Sequence, residues 1–186
     1  FSDGNRSIIR KQLSISKDET VFIHTGRFHP QKNHKFLLEL FAEIYRNISD
    51  SYLLLLGDGK NKSHILEIIR KLNLEHRVKL VGIKSNISDY YSASDCMLFP
   101  SFYEGLPGAV IEAQINGLYA FVSNQISNEI IISERIEFLP INQGTEEWLR
   151  EIVNATSLFE RTGSHVSNKF AIQHVVKTYE KIYSAV

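Results

Sequence analysis

Two glutamates, Glu104 and Glu112, bracket a Gly-Leu-Pro-Gly turn in the stretch FYEGLPGAVIEAQ. An ionised carboxylate only accepts hydrogen bonds, so each glutamate needs donors if it leaves water. Ligand hydroxyls are suitable donors, and sugars and ribose are rich in them. Pro107 suits the first turn of a helix. The N–H groups of Gly105, Leu106 and Gly108 then lie near a helix start, where unpaired amides and the helix dipole attract anions. Upstream, GRFHPQKN places Arg27 and Lys32 just before a helical pattern. Two cations at such a position form a second half of an anion site.

Other loops carry weaker signals. GDGKNKS lacks the spacing of a P-loop, and Lys62 stands where a dinucleotide fingerprint needs its third glycine. What remains is a tight turn at Gly57 and Gly59. In VGIKSN, Gly82 allows a flat ligand to approach the backbone of Ile83 and Lys84. His29 and His34 have no accompanying carboxylate cluster, which predicts no metal site. No Ser-His-Asp or Cys-His spacing is present.

The elements that must hold these loops follow from hydrophobic pattern. Six short apolar runs, TVFIHTG, SYLLLLG, VKLVG, CMLFPS, YAFVSN and IEFLP, read as strands covered on both faces. Between them HKFLLELFAEIYRN, SHILEIIRKLNL, ISDYYSAS and GAVIEAQING read as helices. Ser63 is the expected N-cap of the second and Gly117 the expected stop of the fourth. Glu112 then lies about one turn into a largely packed helix. TEEWLREIVNATSL, with Trp148 as a core anchor, and NKFAIQHVVKTYEKIYSAV complete the helical set. The alternation predicts a Rossmann-like, doubly wound parallel α/β sheet of about six strands with helices on both faces. Ligands bind such sheets at the carboxyl ends of the strands.

Composition excludes several classes. Across 186 residues, 21 Lys and Arg balance 21 Asp and Glu, so net charge draws the chain to neither nucleic acid nor anionic lipid. The single cysteine, Cys96, precludes an intrachain disulfide and fits a cytoplasmic setting. No apolar run approaches the length of a transmembrane segment.

Together, GRFHPQKN, LLLLGDG, VKLVG and YYSASDCMLFPSFYEGLPGAVIEAQINGLYAFVSN resemble the nucleotide-sugar-binding half of a GT-B glycosyltransferase. The nearest group is the retaining family-four enzymes of bacterial capsule and exopolysaccharide synthesis. The resemblance implies that Glu104 contacts donor-sugar hydroxyls and Glu112 the ribose. It implies that Arg27 and Lys32 hold the diphosphate with the N–H groups of Gly105, Leu106 and Gly108. It places the nucleobase against Gly82, Ile83 and Lys84, with Gly57 close by. The implied donor is a UDP- or GDP-linked sugar, with no cofactor or metal. Tyr119 and Asn124 depart from the family pattern, where proline and aspartate are common. Residues 1–19 resemble the segment that joins the two GT-B halves, and 20–186 the donor domain. The acceptor saccharide is therefore expected on an N-terminal domain outside this chain, which could also bring the protein to the inner membrane. The isolated domain is expected to transfer little. Two other readings share the residues: a nucleotide-sugar 2-epimerase, and a non-catalytic nucleotide-binding module.

Overall fold

The computed structural model describes residues 3–159 of the 186-residue chain. The helix expected in NKFAIQHVVKTYEKIYSAV lies outside them. Six strands form one all-parallel sheet: β1 Thr20–Thr25, β2 Ser51–Leu56, β3 Val78–Gly82, β4 Cys96–Phe99, β5 Tyr119–Ser123 and β6 Ile136–Leu139. Each coincides with an apolar run read from the sequence. Their order in space is β3-β2-β1-β4-β5-β6.

Strand periodicity divides the interior into two cores. On β2, Leu53 and Leu55 face one core, while Leu54 and Leu56 face the other. The first core is closed by α2 His34–Asn47, α3 Lys62–Lys71 and α6 Glu146–Asn154. The second is closed by α1 Asp3–Gln12, α4 Ile87–Ala93 and α5 Gly108–Ile115. β4 is buried throughout and the other central strands at all but one position each, as continuous apolar runs require, whereas β3 and β6 at the edges are largely half-buried. Trp148 is fully buried, and its indole N–H donates to the Pro140 carbonyl at 2.7 Å. Truncating such a residue to alanine costs about 3–5 kcal/mol.

Two boundaries differ from the sequence reading. Ser63 does not cap α3; the helix starts at Lys62 after Asn61, whose side chain makes no capping hydrogen bond. Pro107 occupies the capping position of α5, one residue before the helix begins. The far end of α5 behaves as expected. Gly117 adopts φ +72°, its N–H reaches Gln114 O at 2.9 Å, and that of Leu118 reaches Ala113 O at 3.0 Å. This pair of bonds is a Schellman stop, which favours glycine.

Asp3–Gln12 form α1, which is anchored through two arginines to Asp95 at the start of β4. Arg10 Nη2 lies 2.7 Å from Asp95 Oδ2, and Arg6 pairs with Oδ1 at 2.5 Å. Arg10 also donates to the carbonyls of Ala93, Ser16 and Glu19. Burial pulls its pKa down, and Asp95 opposes that pull.

Candidate functional site

The chain runs from β1 outward to β2 and β3, then crosses back to place β4 on the other side of β1. Loops leaving β1 and β4 therefore diverge, and a crevice opens at their carboxyl ends. A cleft of about 480 Å³ occupies this switch point. Its walls include Thr25, Arg27, Lys32, Glu104, Gly108 and Glu112.

The β1 loop is held by its neighbour after β2. Gly26 N–H donates to Leu56 O at 2.9 Å, Phe28 N–H to Asp58 O at 2.9 Å, and Asn61 N–H to Phe28 O at 3.2 Å. This close approach explains the GDG turn. A side chain at Gly57, where φ is +137°, would place its Cβ 2.0 Å from Gly26 O. At Gly59 it would meet Phe28 O at 2.6 Å. Asn33 then takes a left-handed conformation between the 3-10 turn Pro30–Lys32 and α2. The β4 loop is stitched to the same segment. Phe102 N–H donates to Gln31 O at 2.9 Å, and the Gln31 side-chain amide donates to Tyr103 O at 2.7 Å.

This framework brings Lys32 and Glu104 together. Lys32 Nζ donates to Glu104 Oε1 at 2.7 Å, with side chains only 14% and 11% exposed. The ammonium also sits 4.6 Å from the centre of the Phe99 ring. Partial burial and an aromatic face strengthen attraction relative to water. Arg27 is exposed on the same wall and carries no ion pair among the described residues. At the start of α5, the N–H groups of Gly108 and Ala109 have no turn or loop carbonyl as acceptor among the described residues, and Pro107 supplies no side-chain cap. Both residues line the cleft, so their amides can serve an anion there.

Glu112 is exposed at the cleft, while Val110, Ile111, Ala113 and Gln114 around it are buried. Its Oε2 accepts from the hydroxyl of the buried Tyr91 at 3.1 Å. That hydroxyl is 3.0 Å from Thr25 Oγ1.

Behind the cleft lie two buried histidines. His24 Nδ1 is 2.9 Å from Leu98 O, and because a carbonyl only accepts, that nitrogen carries the proton. The rings of His24 and His34 meet edge-on, with centroids 5.0 Å apart. Burial, then the charge of Lys32, holds the His34 pKa down at about 4. Burial, then His34, pushes that of His24 down as well. His34 is the first residue of α2 and packs inward.

The structure gathers six of the expected residues on one cleft: Arg27, Lys32, Glu104, Leu106, Gly108 and Glu112. Gly105 belongs to the turn but not to the wall. Gly57 serves the backbone approach described above. Gly82 ends β3, two strands from β1, with Ile83 and Lys84 just beyond it, and Ile83 is 80% exposed. Sequence reasoning missed the pairing of Lys32 with Glu104, because residues 72 apart in sequence are joined only by topology. It also missed Thr25 and Tyr91. Thr25 was findable as the last residue of an apolar strand before Gly26, but Tyr91 reads simply as core.

Residues 5–155 match the family model described as glycosyl transferases group 1. The chain is 31% identical over 150 residues to the Escherichia coli UDP-Gal:alpha-D-GlcNAc-diphosphoundecaprenol alpha-1,3-galactosyltransferase, covering 78% of this chain and 39% of that one. It is 29% identical over 180 residues to the capsular polysaccharide biosynthesis glycosyltransferase CapH of Staphylococcus aureus, covering 91% and 49%. The crystal structure of Anabaena HepE in complex with UDP-glucose superposes with a TM-score of 0.80 at 23% identity, covering 100% of this chain and 53% of that one. That likeness shows a shared fold. The chain spans less than half the length of both relatives.

Proposed function

The chain belongs to the group 1 glycosyl transferases, and we propose that it forms the donor-binding half of an enzyme that moves a sugar from a nucleotide diphosphate to a saccharide or lipid-linked acceptor. The observation that carries this reading is the meeting of Arg27, Lys32, Glu104, Glu112 and the open amides of α5 on one switch-point cleft. In the proposed geometry the diphosphate faces Arg27, Lys32 and the N–H groups of Gly108 and Ala109. Glu104 accepts from hydroxyls of the donor sugar and Glu112 from those of the ribose. The nucleobase extends toward the loop Gly82, Ile83 and Lys84, past Gly57.

Cleavage of the sugar–phosphate bond loads negative charge onto the leaving diphosphate. Arg27, Lys32 and the α5 amides meet that charge with groups already in place. Each such donor is worth about 3 kcal/mol in the transition state. The reading assigns this work to protein cations, so transfer should persist in a metal chelator. UDP complexes among the proteins of the same fold favour uridine as the base. The names of the relatives favour polysaccharide synthesis. The acceptor site falls to a second domain. No described helix is long and apolar enough to cross a membrane. The single cysteine, Cys96, fits a cytoplasmic setting for the reaction.

Calorimetric titration with UDP, GDP and ADP tests the reading. One diphosphate should bind at one site, and the double variant Arg27→Ala, Lys32→Ala should lose that binding. Undiminished binding by the double variant would reject it.

A further inference from the structure

A buried hydroxyl chain connects three elements behind the cleft. Thr25 ends β1, Tyr91 lies on α4, and Glu112 lies on α5. Tyr91 is fully buried and Thr25 nearly so, whereas Glu112 reaches the cleft. The tyrosine hydroxyl has one proton. It donates that proton to Glu112 Oε2 at 3.1 Å, because an ionised carboxylate has none to give. The 3.0 Å contact with Thr25 must therefore run the other way, with Thr25 Oγ1–H donating to the Tyr91 oxygen. The chain then runs from Thr25 to Tyr91 to Glu112.

Such a chain does two things to an otherwise exposed glutamate. It selects one side-chain orientation from the several open to a surface carboxylate, and ordering a glutamate side chain in advance removes an entropic cost of binding. It also occupies one oxygen and leaves the other for a ligand. Burial and the adjacent carboxylate both push the Tyr91 pKa up, so its hydroxyl keeps its proton throughout the working pH range.

We propose that Tyr91, oriented by Thr25, is a positioning residue that presets Glu112 to read the ribose hydroxyls of the donor nucleotide. The inference rests on the donor-binding reading above and adds to it the device that fixes ribose recognition. Tyr91 touches no ligand itself; it acts through Glu112.

Titration of the purified protein with UDP, 2′,3′-dideoxy-UDP and pyrophosphate tests it. The wild type should prefer UDP to dideoxy-UDP, and Glu112→Gln should remove that preference. Tyr91→Phe should weaken UDP binding by about five- to tenfold, leave pyrophosphate binding unchanged, and bring UDP and dideoxy-UDP close together. Combining it with Glu112→Gln should add little, since both changes remove one interaction. Thr25→Val, which deletes only the far end of the chain, should give a smaller loss with the same selectivity, and it serves if Tyr91→Phe folds poorly. A Tyr91→Phe protein that keeps the full UDP preference while Glu112→Gln loses it overturns this inference alone. Equal wild-type binding of UDP and dideoxy-UDP overturns it together with the ribose role of Glu112. Equal losses for UDP and pyrophosphate show general damage to the cleft and overturn it too.

Discussion

Lys32 and Glu104 form a partly buried ion pair at 2.7 Å on the wall of the switch-point cleft. The residues proposed to hold diphosphate and sugar are thus each other's partners before any ligand arrives. A phosphate oxygen entering the cleft competes with Glu104 for the ammonium. The carboxylate, once released, can turn to the hydroxyls of the sugar.

This pairing makes the two variants differ in kind. Lys32→Ala should weaken UDP binding by roughly ten- to a hundredfold, because it removes a charge-assisted donor. Glu104→Gln leaves the ammonium uncompeted, so UDP should bind as tightly as to the wild type or more tightly. Sugar transfer by the complete enzyme should nonetheless fall by about a hundredfold. Calorimetry with UDP and a transfer assay on the same preparations check both. Parallel losses of binding in the two variants would show that the pair acts only as a structural brace.

The glycine turn after β2 predicts a coupling between stability and binding. Gly57→Ala places a Cβ against the Gly26 carbonyl and imposes a φ that side chains disfavour. Unfolding in urea should show a loss on the order of 2–3 kcal/mol. The protein that remains folded should bind UDP more weakly, since the displaced loop carries Arg27. Normal stability in this variant would mean that the backbone approach is looser than described.

Stability should also depend on pH through the buried histidines. The His34 pKa is about 4 in the folded protein against an ordinary 6.5. Above pH 6.5 the ring is neutral in both states. Between 6.5 and 4 the unfolded chain takes up a proton that the folded chain refuses, so stability falls as pH drops through this window. His24 acts in the same direction. Glu137, whose pKa burial raises, opposes them at the acid end. The loss between pH 7.5 and 5 should be on the order of 1–3 kcal/mol, measured by urea unfolding. His34→Phe should flatten the profile; an unchanged slope in that variant would place the titration elsewhere.

The strands and the site were legible in the sequence to different degrees. Leu53–Leu56 had to be a strand buried on both faces, because so short an apolar run has no other stable setting beside helical neighbours. Arg27, Lys32 and Glu104 announced themselves as charges in strand-end loops, and Glu112 as a carboxylate on an otherwise packed helix. The role of α1 was hidden, because Arg6, Arg10 and Asp95 are ordinary surface residues until topology joins them across more than eighty positions. Tyr91 was hidden for a related reason. Its apolar ring explains its burial, and nothing local reveals where its hydroxyl goes.

The α1 anchor carries its own expectation. Arg10→Met leaves Asp95 short of one cation and the hydrogen bonds to the carbonyls of Ala93, Ser16 and Glu19 unmade. The cost should be about 3–5 kcal/mol, in line with breaking a buried pair from one side. Hydrogen exchange should show α1 opening first. Retained protection of α1 in this variant would mean that its apolar face alone holds it to α4.

A crystal structure of the protein with UDP tests the central claim most directly. The diphosphate should lie within hydrogen-bonding distance of Arg27, Lys32 and the Gly108 and Ala109 amides, with Lys32 drawn away from Glu104 and the ribose on Glu112. A nucleotide bound away from the β1/β4 switch point, with the Lys32–Glu104 pair intact, would contradict it.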